Sequence, residues 1–388
     1  MAEQRAYEEG NAVVRVSISV PVRVLEHPPP PLRFMHHFAD PAPTAEDIAN
    51  MTMEELLNVV VCSCGCTPIG HWLRSDITVD ALTLWLDRAP PVISIQNFHG
   101  NIALSQVREN TPEEQAFLVA SRTPPEALLL LDGDGDTPFH CVLQNRASNR
   151  VLRACIEKCP VEVFSIANND GMLPIHEAVQ NGADLDVLKS IVDLSPSHAL
   201  ETADAKGRLP VHWLTYRSSP EVADFLVRLS PPNSLLQKDY SGMIPLHYAL
   251  CLNASAEVIT MLVFQSASSV FVADGEGRLP LHLLLGRSRS RQFPTSLITL
   301  LLGTKPRAVL RTRNKRNFLP LAIAIQCGTQ REAVAMLLDY SPPNILTSNV
   351  YRGRRPLAYA VESSSSLEII QMLVDRSGHD LSQPDGKG

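Results

Sequence analysis

Three carboxylates spaced two residues apart, Asp132, Asp134 and Asp136, follow an apolar run in the stretch LLLLDGDGDTPFH, residues 128–140. Such a pattern opens several calcium and phosphoryl-transfer sites. A calcium loop of EF-hand type requires Gly at its sixth position and Glu at its twelfth, where Thr137 and Leu143 stand. A phosphoryl-transfer nucleophile of the form hhhhDxDx(T/V) requires Thr or Val where Asp136 stands. Cys62, Cys64 and Cys66 of CSCGC, with His71 nearby, are the best metal ligands by residue type. Structural zinc sites use wider C-x(2–4)-C pairs in two separate halves, so small buried cysteines explain this triplet better. HEAVQ (176–180) lacks the second histidine of a zinc-protease motif, because Gln180 replaces it. Cys155 and Cys159, four apart, read as helix core, and no phosphate-binding glycine loop or nucleophile elbow is present.

Five histidines, His140, His176, His212, His247 and His282, recur once per ~35 residues. Stacked units would hold them about 10 Å apart, too far to share an ion that sits ~2.1 Å from each ligand. HPPPPLR carries Pro28, Pro31 and Arg33 in the spacing that polyproline-binding grooves accept.

Charge gives a sharper signal. The chain is acidic overall, at −7, yet residues 287–316 hold nine Lys/Arg and no Asp or Glu. Arg287, Arg289 and Arg291 lie in a loop. Arg311, Arg313, Lys315 and Arg316 lie in one turn, and Arg352, Arg354 and Arg355 in the next. Like charges held together oppose compaction unless a partner neutralises them. This block is the candidate partner-binding site.

The elements that would position these residues follow from a repeat. GCTPIGHWL, GNIALSQV, GDTPFHCVL, GMLPIHEAV, GRLPVHWLT, GMIPLHYAL, GRLPLHLLL, NFLPLAIAI and GRRPLAYAV align on Pro68, Ala103, Pro138, Pro174, Pro210, Pro245, Pro280, Pro320 and Pro356. The intervals are 35 or 36 residues, with a single 40. Glycine precedes the key position by three in every unit but one, where Asn317 stands. Both residue types tolerate positive φ, which predicts a tight turn. Three residues earlier stand Asn97, Asp132, Asn168, Asp204, Asp239, Asp274 and Asn314, whose side chains close such turns. Proline then suits the first helical position, and a second helix with apolar residues at i, i+3, i+4 and i+7 ends in Ser-Pro or Pro-Pro. A unit this short cannot bury its apolar face alone, so the units must stack into a solenoid.

On these residues the units resemble ankyrin repeats. TPFH (137–140) matches the family's T-P-L-H, and LPIH, LPVH, IPLH and LPLH follow it; the D-x-x-G turn recurs at Asp204, Asp239 and Asp274. The resemblance spans roughly 62–377. It implies an all-α, ankyrin-type helix-turn-helix solenoid of about nine repeats with short turn or β-hairpin fingers. It also implies that the repeat histidines hydrogen-bond backbone between neighbouring turns. The family ends its second helix with glycine, where Ser-Pro or Pro-Pro stands here. Ala103, Ala322 and Ala358 replace the proline or histidine in outer units, which predicts irregular local geometry there.

Around the array, residues 1–43 read as a flexible segment with one alternating strand at 13–24 and a proline-rich linker. Thr52 with Glu55 suggests a capped helix over 53–61, the solenoid occupies 44–377, and 378–388 read as a disordered tail. The reading that follows is a non-enzymatic protein-binding scaffold, without cofactor, metal or catalytic residue, that docks an acidic partner segment. Binding of nucleic acid or anionic lipid through 287–316 is the alternative, although the block lacks interleaved aromatics for base stacking. The eight cysteines show no paired framework, and neither a signal peptide nor an apolar span is evident, so a monomer in cytoplasm or nucleus is expected.

Overall fold

A computed structural model describes residues 42–53, 56, 69, 73, 77–231, 233–286 and 293–377. The expected strand at 13–24, the proline-rich linker, the CSCGC triplet and the tail at 378–388 lie outside the described residues. Most of the helix expected over 53–61 does too.

The unit keyed on Pro174 shows how sequence becomes structure. Asn168 Oδ1 accepts hydrogen bonds from the amides of Asp170 (3.1 Å) and Met172 (2.9 Å). Gly171 then takes φ +73°, reversing the chain. Leu173 is extended, Pro174 fills the first helical position, and the helix Pro174–Asn181 follows. Left-handed Gly182 ends it at φ +78°. Asp184 caps the second helix, Leu185–Leu194, accepting from the Val187 amide at 2.8 Å. Val187, Leu188 and Ile191 bury the inner stripe of that helix.

The same plan repeats. First helices Pro138–Gln144, Pro174–Asn181, Pro245–Cys251, Pro280–Leu285, Pro320–Cys327 and Pro356–Glu362 begin on their prolines. Pro138–Gln144 packs on Pro174–Asn181, and Pro245–Cys251 through Pro356–Glu362 pack in series. Second helices form a parallel layer, Glu113–Arg122 against Asn149–Ile156 and Pro220–Leu229 against Ala256–Gln265. Leu, Ile, Val and Ala between the two layers are buried, giving one continuous core.

Two local features differ from expectation. The Pro-Pro steps at Pro90-Pro91, Pro124-Pro125 and Pro342-Pro343 do more than stop the second helix. They start short 3₁₀ segments, at Pro90–Ser94, Pro125–Leu129 and Pro343–Leu346, because proline lacks the donor such a start leaves unpaired. Irregularity follows the alanine substitutions only in part: it is met at Ala103 in unit two, absent at Ala322 and Ala358, and present in unit five, which has none. Units eight and nine keep full first helices. Units two and five reduce theirs to 3₁₀ segments, Leu104–Gln106 and Pro210–Trp213. Unit two lacks the leading proline. In unit five the Thr215 amide donates to Ser218 Oγ (3.0 Å), and Thr215 Oγ1 accepts from the Arg217 amide (3.0 Å). These local bonds compete with the helical ladder.

At the N-terminal end of the described array, Thr44 and Asp47 form a capping box for the helix Ala45–Asn50. Arg88 closes that helix's other end, donating to the carbonyls of Ile48, Ala49 and Met51. Among the described residues, no helix is long and apolar enough to cross a membrane.

Candidate partner-binding surface

The turns are stitched into a row by backbone hydrogen bonds. The amides of Gly133, Asn169, Ala205, Tyr240, Gly275 and Lys315 donate to the carbonyls of His99, Asp134, Asp170, Lys206, Ser241 and Glu276, at 2.8–3.0 Å. Positive φ at Gly100, Gly135, Gly171, Gly207, Gly242, Gly277, Asn317 and Gly353 sets each turn's shape. Among the described residues, a single antiparallel bridge joins Tyr351 to Arg354.

The repeat histidines fasten turns to helices. Nδ1 of His176 accepts from the Leu173 amide (3.1 Å), so its neutral ring carries the proton on Nε2, which donates to the Thr202 carbonyl (3.1 Å). His140, His212 and His247 repeat this arrangement toward the carbonyls of Met172, Gln237 and Arg278. His282 keeps the inner bond to the Leu279 amide, but its Nε2 has no partner in hydrogen-bond geometry, in the unit where the repeat is longest. Burial lowers all five to about 4. These imidazoles are structural pins.

One face is shared by the turns and the first helices, and its character changes along the array. Toward the second to fourth units it is polar and acidic, with Asp132, Asp136, Cys141, Gln144 and Glu177. Gln144 Nε2 donates to both Asp136 oxygens and to Glu177 Oε1, at 3.0–3.1 Å. Burial raises Glu177 to about 7. Asp132, Asp136 and Cys141 place ligand-type atoms within 4.8 Å of one another. Asp132 also closes its own turn, its Oδ1 accepting from the amides of Asp134 and Asp136 at 2.9 Å.

Toward the middle the face becomes aromatic. Arg208 stacks on Trp213 at 4.0 Å while pairing with buried Asp204 at 2.6 Å, and Trp213 adjoins Tyr248 at 6.4 Å. Toward the eighth and ninth units Phe318 stacks on Tyr351 at 3.8 Å, with Tyr359 5.4 Å beyond. A cleft of about 400 Å³ opens here, lined by Arg278, Leu283, Arg316, Phe318 and Ile323.

The basic residues divide into two groups. Arg313 is committed to the fold, donating to the carbonyls of Asn317 (2.8 Å), Val350 (3.2 Å) and Asn349 (2.6 Å) and so tying the eighth turn to the ninth. Arg354 pairs with Glu362 at 3.0 Å. Arg355 is half-buried at the N-cap of Pro356–Glu362. Arg311, Lys315 and Arg316 are exposed, as Arg313 is, but no side-chain hydrogen bond or ion pair holds them among the described residues. Arg352 is exposed above the Tyr351 ring at 5.1 Å. Arg287, Arg289 and Arg291 lie outside the described residues.

Sequence reasoning named Asp132 and Asp136 only as turn residues and missed the acidic stretch they form with Glu177, and it missed the aromatic stretch. Their signal was the residue three after each key position: Gln106, Cys141, Glu177, Trp213, Tyr248, Leu283, Ile323 and Tyr359. It varies from unit to unit, where core positions do not.

The sequence matches no protein-family profile and no curated protein. Among solved structures, it is similar to the ankyrin repeat domain of Bcl-3, a unique member of the IkappaB protein family. Identity is 22%, covering 62% of this chain and 99% of that one, with a TM-score of 0.46. The unit geometry carries the assignment by itself: glycine turns bonded into a row, proline-led first helices, and second helices stacked behind them make this an ankyrin-type solenoid.

Proposed function

We propose that this chain is a non-enzymatic scaffold that holds a protein partner along the face of its turns and first helices, and docks an acidic partner segment on the basic edge of units eight and nine. The observation that carries the reading is the pairing of exposed Arg311, Lys315, Arg316 and Arg352 with a cleft lined by Leu283, Phe318 and Ile323 as well as by Glu276 and Arg278. Arg316 lines that cleft, and Arg352 is joined to it through Tyr351 and Phe318. Apolar side chains would anchor the segment in the cleft, while cations at its rim steer acids toward it. Arg313 and Arg354 act indirectly, by holding the edge in place.

The reading is tested by titrating the full chain with a glutamate-rich peptide containing one leucine. Reversal of Arg311, Lys315, Arg316 and Arg352 to Glu weakens binding by at least about tenfold if rim charges dock the peptide, and unchanged affinity removes the claim. Retention on heparin that falls steeply with salt, without peptide binding, would assign the edge to a polyanion instead.

A further inference from the structure

Gln106 is 5% exposed, and neither its Nε2 nor its Oε1 has a hydrogen-bond partner. Buried amides are almost always satisfied, and Gln106 is the side chain among the described residues that leaves both amide atoms buried and unpaired. Gln106 lines a cleft of about 320 Å³ between the second and third turns, together with Asn101, Asp132, Asp136 and Cys141. Burial, reinforced by neighbouring acids, holds the Asp132 and Asp136 carboxyls above their ordinary range. Asp132 spends Oδ1 on its own turn and leaves Oδ2 to the weak donor of the Cys141 thiol, 3.7 Å away. Arg108 on the rim is exposed and forms no ion pair among the described residues, so the chain's own arginine does not fill the place.

We propose that this cleft receives one arginine side chain of the partner, its guanidinium donating to Asp132 Oδ2 and Gln106 Oε1, beside the negative charge of Asp136. The Gln106 Nε2 then donates to a backbone carbonyl of the same partner. This subsite deepens the scaffold reading and rests on it.

A guanidinium suits the site better than a metal ion. The Asp136 oxygens already accept from Gln144 (3.0 and 3.1 Å) and Asn168 (2.8 Å), which crowds a first coordination shell. Burial beside two carboxylates pushes the Cys141 thiol up, so it stays protonated rather than serving as a thiolate ligand. The cleft is also many times the volume of an ion. A planar fork with five donors matches several dispersed acceptors, where a compact ammonium would reach fewer.

The subsite fixes a direction on the partner. Five unit steps separate it from the basic edge, roughly 40–50 Å at helix-packing distances. An extended segment covers that with about 12–15 residues between its arginine and its acids.

The test titrates the full chain with acetyl-Gly-Arg-Gly-amide by calorimetry. Saturable binding is expected, weakened at least about tenfold in Asp132→Asn and in Gln106→Leu. Asparagine keeps the turn-closing acceptor, as Asn97 and Asn168 do in sister turns. Lys315→Glu with Arg316→Glu leaves this peptide's affinity unchanged, so failure of the basic edge reads separately. Absence of saturable binding, or equal affinity in wild type and both variants, overturns the proposal. So does Zn²⁺ uptake that is lost in Cys141→Ser, which would assign the cleft to a metal.

Discussion

At the scale of single residues, the buried histidines make stability depend on pH. Each folded imidazole stays neutral down to about 4, whereas its unfolded counterpart protonates near 6.5. Below pH ~6.5 the unfolded chain therefore binds protons that the folded chain does not, and stability falls until about pH 4. Each site contributes on the order of 3 kcal/mol across that window. Glu177, raised to about 7, works in the opposite direction, as do the raised carboxyls of Asp132 and Asp136. Urea unfolding from pH 7.5 to 4.5 should show falling stability, and a flat profile would contradict the pinned neutral imidazoles. A second residue-scale prediction concerns Gly171. A Cβ there would meet the Ala205 amide nitrogen at 2.6 Å, the atom that donates to Asp170 at 2.8 Å. Gly171→Ala should cost about 2 kcal/mol or more, because strain adds to a broken turn-to-turn bond. Denaturant midpoints measure this directly.

At the scale of elements, capping sets the second helices. Asp184 both caps Leu185–Leu194 and pairs with Arg153 at 2.6 Å, in an exposed setting. Asp184→Ala should cost about 1 kcal/mol, and Asp184→Ser should restore most of it, since the cap outweighs a solvated ion pair. Serine no better than alanine in thermal unfolding would give the ion pair the larger share. Turn and proline were legible in the sequence because each answers to backbone geometry within its own unit, φ at Gly171 and the missing donor of Pro174, whereas the histidine's backbone bond was implied by the family resemblance. The 3₁₀ segments after the second helices were not legible, because Pro90 and Pro125 signal a stop and a start with the same residue. The shortened first helix of unit five was hidden as well, since Thr215 and Ser218 form their turn against a helical pattern that otherwise holds.

At the scale of the molecule, the array presents a face that is acidic toward its early units and basic toward its late ones. The basic block was visible as composition, yet its division was not. Arg313 is tied to the fold because the carbonyls of Asn349 and Val350 arrive from the next unit, a contact that no local pattern encodes. The cleft beside Gln106 is hidden for the same reason, being built from two turns 35 residues apart. The central claim is that Arg311, Lys315, Arg316 and Arg352 dock acids by charge. It is tested most directly by charge exchange. The variant with all four reversed to Glu should lose the glutamate-rich peptide and gain its counterpart with every Glu replaced by Lys, while wild type shows the opposite preference. A variant that still prefers the glutamate peptide would contradict the account.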